Sequence, residues 1–162
     1  MSVVVITGAG QGQGAAEARL LAGHRATVIA ADLTSTPAED LPGVDYRQLD
    51  VTDQVGWAGL AKDLAERHGR VHGLVANAGI TWRARLLDVT PADLSRVHEV
   101  NVTGALLAIQ AIAPLMTAGG SIVLVGSAAA LTGHFISGAE IPVDGGMTAH
   151  GGVKSISDAV RA

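Results

Sequence analysis

Short apolar runs alternate along the chain with stretches of helical spacing. Residues 3–6 are Val-Val-Val-Ile, closed by Thr7-Gly8; an unbroken run of that length predicts a strand covered on both faces, as in a parallel sheet. A glycine-rich turn follows from Gly8 to Gly14, and good helix formers then run over residues 15–22 until Gly23. Residues 27–31 predict a second strand ending at Asp32, and residues 34–42 are polar and proline-bearing, hence loop. Residues 46–49 predict a third strand. Apolar positions 57, 60, 61, 64 and 65 then form a helix stripe that Gly69 ends. Residues 74–76 predict a fourth strand. Thr90 and Pro91 read as the cap and first residue of a helix. Its apolar line runs through Leu94, Val97, Asn101, Ala105, Ala108 and Ile112 until Gly119-Gly120. Residues 121–125 predict a fifth buried strand. Strand and helix alternate with no repeat or linker, which predicts an α/β fold: a Rossmann-like, doubly wound parallel sheet.

Composition narrows the function classes. The 162 residues fit one domain over 1–162, at roughly 150 residues per domain. With 48% apolar and 16% charged residues, disorder is excluded. The net charge of −4 without a basic block argues against a nucleic-acid partner. With no Cys, thiol chemistry is excluded, and the six His show no ligand spacing on one element, so no metal site is expected. His68 and His72 read as a surface pair. The N-terminus lacks the basic flank and long apolar core of a signal peptide, which leaves the cytoplasm as the default location. No Asp, Glu, Lys or Arg occurs over 100–139, but Asn101, Gln110, Pro114, Gly119, Gly120 and Ser121 interrupt that stretch. It reads as buried helix, turn and strand, with no membrane partner.

A strand, a glycine turn and a helix together make a phosphate site. Glycines let the backbone approach a pyrophosphate, and the helix N-terminus offers free N–H groups and a positive dipole end. Glycines at this spacing are weak evidence alone, since any tight strand-to-helix turn favours them. Here an acid, Asp32, ends the second strand 18 residues after Gly14, where it can accept from both hydroxyls of an adenosine ribose. The plainer alternative is that Asp32 caps a turn.

Several motifs in order then resemble the short-chain dehydrogenase/reductase family, of the kind with a Tyr-x-x-x-Lys pair. Residues 7–14 are similar to its TGxxxGxG turn, with Gly8, Gln11, Gly12, Gln13 and Gly14 as cofactor-binding positions. Asp32 and Leu33 stand at its ribose-reading position. Asp50 and Val51, in Asp50-Val51-Thr52-Asp53, resemble its adenine-pocket segment, and Asn77, Ala78 and Gly79 its N-A-G turn. Asn101 and Ser127 stand where the family has its active-site Asn and Ser, and Val143-Asp144-Gly145-Gly146 resembles the turn after its last strand. The resemblance implies an oxidoreductase moving hydride between NAD and an alcohol or carbonyl substrate, and a homo-oligomer. Asn101 also has a purely structural reading: on the apolar line of its helix it would be buried, hydrogen-bonded and able to fix a kink.

One departure matters. Thirteen residues after Ser127 the family has Tyr, with Lys four further on; this chain has Glu140 and Asp144. Its one Tyr is Tyr46, and its lysines are Lys62 and Lys154. The sequence passes from residues 127–133 almost directly to the last-strand remnant, as if deleted internally near 133–135. A phenol of pKa about 10 needs a cationic neighbour to act near neutrality, and losing a general acid–base typically costs about 10²- to 10⁴-fold. His134 or Glu140 as substitutes lack any feature that fixes their geometry. Three readings follow: an NAD-type family member with catalysis lost; a non-catalytic dinucleotide-binding or interaction protein; or an intact molecule carrying a segment this sequence does not print, which a mass other than 16.3 kDa would reveal. The strand at 121–125 is expected to be covered by the last strand or a partner subunit, with no helix over 128–139.

Overall fold

The computed structural model describes residues 2–127. The chain divides into two compact units, Met1–Val125 and Gly126–Ala162. All the elements below lie in the first; Gly126 and Ser127 are the described residues of the second.

Strands β1 (Val3–Thr7), β2 (Thr27–Asp32), β3 (Asp45–Gln48), β4 (Val71–Ala76) and β5 (Met116–Leu124) form one sheet in the order β3-β2-β1-β4-β5. Every pairing is parallel. The order reverses direction between β1 and β4, and the C-terminal ends of those strands open the crevice where such sheets bind ligands. The expected doubly wound, Rossmann-like α/β sheet is thus present.

Side chains alternate across the sheet, as the two-residue period of a strand requires. Val3, Val5, Ile29 and Ala31 join Leu74 on one face, packed with α2 (Gln54–His68) and α4 (Gly104–Ile112) through Trp57, Leu60, Leu64, Ala108 and Ile112. Ile6, Val28 and Ala30 point the other way, to Ala15 and Ala18 of α1 (Gly12–Gly23). With few aromatics available, the core is aliphatic, and each fully buried side chain such as Leu64 contributes about 1.5–3 kcal/mol. The strand β3 is fastened to α2 by charge. Arg47 meets Asp45 at 2.7 Å and Asp63 at 3.0 Å, and Arg67 meets Asp45 at 2.8 Å and Asp63 at 3.2 Å. The Arg47 guanidinium, with Arg67 beside it, holds the Asp45 carboxyl below the usual carboxylate range.

The sequence reading departs from the structure in three places. The helix predicted from Pro91 onward is not continuous: α3 (Pro91–His98) passes through a π turn at Glu99–Thr103 into α4, and a 3-10 turn containing Pro114 closes it. The π turn rotates the two halves out of one apolar line, so Leu94 is 67% exposed while Ala108 and Ile112 are buried. Second, β5 begins at Met116, and Gly119-Gly120 lie within the strand. Met116 pairs with Val71 and Ser121 with Gly73, so a step of five along β5 matches a step of two along β4. That surplus is a bulge, which glycines tolerate and a stop signal mimics. Third, residues 121–125 are exposed, not buried; Val123 is 48% exposed. The helix α4 packs on α2 and β4 more than on β5, and among the described residues β5 has a neighbouring strand on one side only. The expected cover from the last strand or a partner, and the helix-free stretch over 128–139, lie outside the described residues.

No helix among the described residues is long and apolar enough to cross a membrane. His68 ends α2, and His72 Nδ1 accepts the Val3 N–H at 3.0 Å.

Candidate nucleotide site

The turn after β1 is clamped to the turn after β4. Thr7 is almost fully buried, and its Oγ1 accepts the N–H groups of Asn77 and Ala78, each at 3.0 Å. In return Asn77 Nδ2 donates to the carbonyls of Thr7 at 3.0 Å and Gly8 at 3.2 Å. Gly8 has φ +65°, and a Cβ there would lie 2.7 Å from Ala78 Cα, so no other residue fits. A Cβ on Gly14 would lie 2.4 Å from the Gly8 carbonyl, so α1 leaves the turn at close quarters.

The N-terminus of α1 is open. Its cap residue, Gln11, makes no side-chain hydrogen bond to it, and its first turn carries no acid. Gln11, Gly12 and Gln13 are exposed, and the space where a Gly12 side chain would stand is empty. Uncapped N–H groups and an open approach suit a diphosphate.

Asp32 closes the other end. Its Oδ2 accepts the Gly10 N–H at 2.8 Å, and its Oδ1 accepts the N–H of Thr34 at 3.2 Å. It therefore caps a turn, as the plainer reading had it, and reaches the glycine turn as well. The Thr34 hydroxyl also reaches Oδ1, at 3.3 Å; two carboxylate oxygens have about four acceptor positions, so one remains for a ribose hydroxyl. The neighbouring Leu33 is exposed.

Asp50 folds over its own turn, Oδ1 accepting the N–H and hydroxyl of Thr52 at 2.9 and 2.7 Å. Val51 is buried; its carbonyl accepts Trp57 Nε1 at 2.9 Å, and its side chain occupies the place a Cβ on Gly104 would need. Asp50 and Val51 thus belong to one turn braced by α2 and α4.

Asn101 sits in the π turn. Its Nδ2 donates to the Ile80 carbonyl at 2.9 Å, and its Oδ1 accepts the Ile80 N–H at 2.8 Å. Its expected burial is wrong: within the π turn the residue is exposed. The side chain nevertheless pins the segment after Gly79 by both amide atoms. Ser127 belongs to the second unit.

The structure therefore brings together Gly8, Gln11–Gly14, Asn77 and Ala78 with Asp32 at one crevice, and gives Asn101 to the Ile80 loop. Sequence reasoning assigned no site role to Thr7, Gly10, Ile80 or Tyr46. Thr7 was visible within the motif. Nothing in the sequence marked Ile80. A pocket of about 360 Å³ beside β1, β4 and β5, whose lining includes Val4, His72, Val75 and Val123, shares no residue with this crevice, and its histidine is already bonded to Val3.

Comparison with known proteins assigns the family. A model of the short chain dehydrogenase family matches residues 2–139. The chain belongs to the short-chain dehydrogenase family. It is 36% identical over 146 residues to the trans-4-hydroxycyclohexanecarboxylate dehydrogenase of Sinomonas cyclohexanicum, covering 81% of this chain and 56% of that protein. It is 37% identical over 142 residues to the 3-oxoacyl-[acyl-carrier-protein] reductase FabG of Thermotoga maritima, covering 82% and 58%. The ligand-free aldohexose dehydrogenase of Thermoplasma acidophilum superposes with a TM-score of 0.74 at 27% identity, covering 80% of this chain and 50% of that one. The chain thus spans little more than half the length of the curated relatives it matches. Members of the family usually bind a nicotinamide dinucleotide.

Proposed function

We propose that this chain is a short-chain dehydrogenase-type oxidoreductase in which the dinucleotide site is retained, NAD is preferred over NADP, and turnover is lost in the sequence as it stands. The observation that supports it is Asp32, whose carboxylate is tied to Gly10 beside the open N-terminus of α1. Gly8 to Gly14 would hold the diphosphate, Asp32 the adenosine ribose, and Asp50 with Val51 the adenine. Asn77, Ala78 and Gly79 would flank the nicotinamide half. When bound, the nicotinamide exchanges hydride with an alcohol or carbonyl carbon. A 2′-phosphate charge about 4 Å from the Asp32 carboxylate is repelled by roughly 4 kcal/mol at an effective dielectric of 20. No Arg or Lys stands between Ala9 and Gln13 to offset it.

The sequence contains no Tyr-x-x-x-Lys, so the proton to or from a substrate oxygen has no evident carrier. Asn101 is committed to Ile80 and supports the loop. Substrates, if turned over, would be small alcohols or carbonyl compounds; the protein is read as a homo-oligomer located in the cytoplasm. Titrating NAD and NADP, then assaying a panel of secondary alcohols and ketones, tests each part. Tighter NADP binding overturns the cofactor preference, and a turnover near 1 per second, within the ordinary enzyme range, overturns the loss of catalysis. The relatives' greater length favours one second reading, in which the intact protein carries the absent segment and is a working dehydrogenase. An intact mass of 16.3 kDa excludes it.

A further inference from the structure

We propose that Tyr46 and Gln48, neighbours on one face of β3, position the turn of residues 32–34 and thereby set the preference of the site for a free ribose over a phosphorylated one. This rests on the dinucleotide reading above and concerns residues that reading does not use.

Strand residues two apart share a face. Asp45 and Arg47 take the α2 face, where they meet Asp63 and Arg67. Tyr46 and Gln48 take the other, where Tyr46 packs against the core beneath α1. In register, Tyr46 lies beside Ala30 and Gln48 beside Asp32. Both side chains then reach past the end of β2. Tyr46 Oη lies 2.9 Å from Thr34 Oγ1 and donates toward the Thr34 carbonyl at 3.2 Å. Gln48 Nε2 donates to the Leu33 carbonyl at 3.1 Å. The backbone adds Leu49 N–H to the Asp32 carbonyl at 2.7 Å.

Each hydroxyl has one hydrogen, and either oxygen of the Tyr46–Thr34 pair can be the donor. In the arrangement where Tyr46 Oη donates to Thr34 Oγ1, the Thr34 hydrogen is left for Asp32 Oδ1, 3.3 Å away. Tyr46 then acts through Thr34 on the carboxylate, and hydrogen bonds in such a chain reinforce one another. The cluster is compact: a Cβ on Gly10 would lie 2.8 Å from Asp32 Cγ and 2.9 Å from Tyr46 Oη. It also lacks a cation for a phosphate. Residues 32–44 contain no Arg or Lys, Arg19 is paired with Glu39, and Arg47 is held by Asp45 and Asp63 on the opposite face. The Ala38 N–H donates to the Gly10 carbonyl at 2.8 Å, closing the loop over the same corner.

The test is titration of NAD and NADP against the wild-type chain, Tyr46→Phe, Gln48→Ala and Thr34→Val, with the melting temperature of each. Tyr46→Phe keeps the ring and removes the hydroxyl, so it should weaken NAD by about 3- to 10-fold, the loss of one hydrogen bond. NADP binding should be unchanged, so the NAD/NADP ratio falls by the same factor. Thr34→Val should reproduce this if Tyr46→Phe fails to fold. A ratio equal to wild type in the variants, or equal weakening of both dinucleotides, overturns the proposal. Wild-type protein that binds neither dinucleotide overturns the reading beneath it and this proposal together; wild-type binding with unmoved ratios overturns this proposal alone.

Discussion

The Gly10 N–H donates to Asp32 Oδ2 at 2.8 Å across 22 residues of chain. This bond joins the glycine turn after β1 to the acid that ends β2, and in the proposed reading it would set the spacing between a diphosphate and a ribose. Gly10 is where the two turns touch.

Replacing Gly10 with Ala should therefore damage the ribose end of the site. The new methyl would meet Asp32 Cγ at 2.8 Å and Tyr46 Oη at 2.9 Å. Overpacking of this kind typically costs about 1–3 kcal/mol. NAD affinity should fall at least about tenfold, 1.4 kcal/mol, because Asp32 is the group displaced. Calorimetric titration beside a urea melt separates the two effects; unchanged NAD binding would contradict the assignment of Asp32.

Thr7→Val should be costlier than its near-identical shape suggests. The hydroxyl accepts two N–H groups, those of Asn77 and Ala78. Valine leaves both without an acceptor, at about 1–3 kcal/mol for each buried group. Denaturant unfolding should show the loss, and Thr7→Ser should recover most of it.

Asn101 bonds Ile80 with both amide atoms, so its variants should separate by hydrogen-bonding capacity. Asn101→Ala loses both bonds, about 1–3 kcal/mol in total given the exposure of the residue. Asn101→Asp retains the acceptor for the Ile80 N–H but turns a carboxylate toward the Ile80 carbonyl, and should be no better than Ala near neutral pH. Amide exchange at Ile80 should accelerate in Asn101→Ala, and less in Asn101→Asp, which keeps the acceptor. Protection equal to wild type would show that the π turn, not the side chain, holds this loop.

Asp45 gives a pH and salt prediction. Its carboxyl is lowered first by the hydrogen bond from Arg47, with Arg67 adding to it. A carboxylate lowered in the folded state contributes stability above its unfolded pKa of about 3.9 and loses it as the pH falls through the lower folded value. Asp45→Asn should therefore destabilise at pH 7 and converge with wild type at the acid end. Because the four side chains are partly exposed, the difference at pH 7 should shrink in high salt. Thermal melts across pH 2–7, at low and high salt, measure both trends.

The fold was legible where a local pattern was itself the cause. Residues 3–6 and 27–31 are apolar because both faces of the sheet are covered, and the stripe through Trp57, Leu60 and Leu64 is the buried face of α2. It was illegible where a long-range contact decides. Periodicity treats a helix as straight, so Leu94 and Asn101 joined the line of Ala108 and Ile112, and the π turn at Glu99–Thr103 put both outside. Gly119-Gly120 read as a stop because a bulge and a helix end use the same residue. Within the site, the motif named Gly8 and Asp32. The roles of Thr34, Tyr46 and Gln48 depend on β3 lying beside β2 in one particular register, which no stretch of sequence announces.

The Thr7 clamp also bears on the order in which the molecule can be made. Its partners come 70 and 71 residues later in the chain. During synthesis β1, the glycine turn and α1 emerge first and can begin to fold, but the groups that complete the clamp do not yet exist. Contacts so far apart form late, after the entropy of closing the intervening loop has been met. A nascent chain ending before Asn77 would carry the whole glycine motif without the clamp that shapes it. Competence for nucleotide should thus arrive in one step, with the docking of β4, and not grow as the motif emerges.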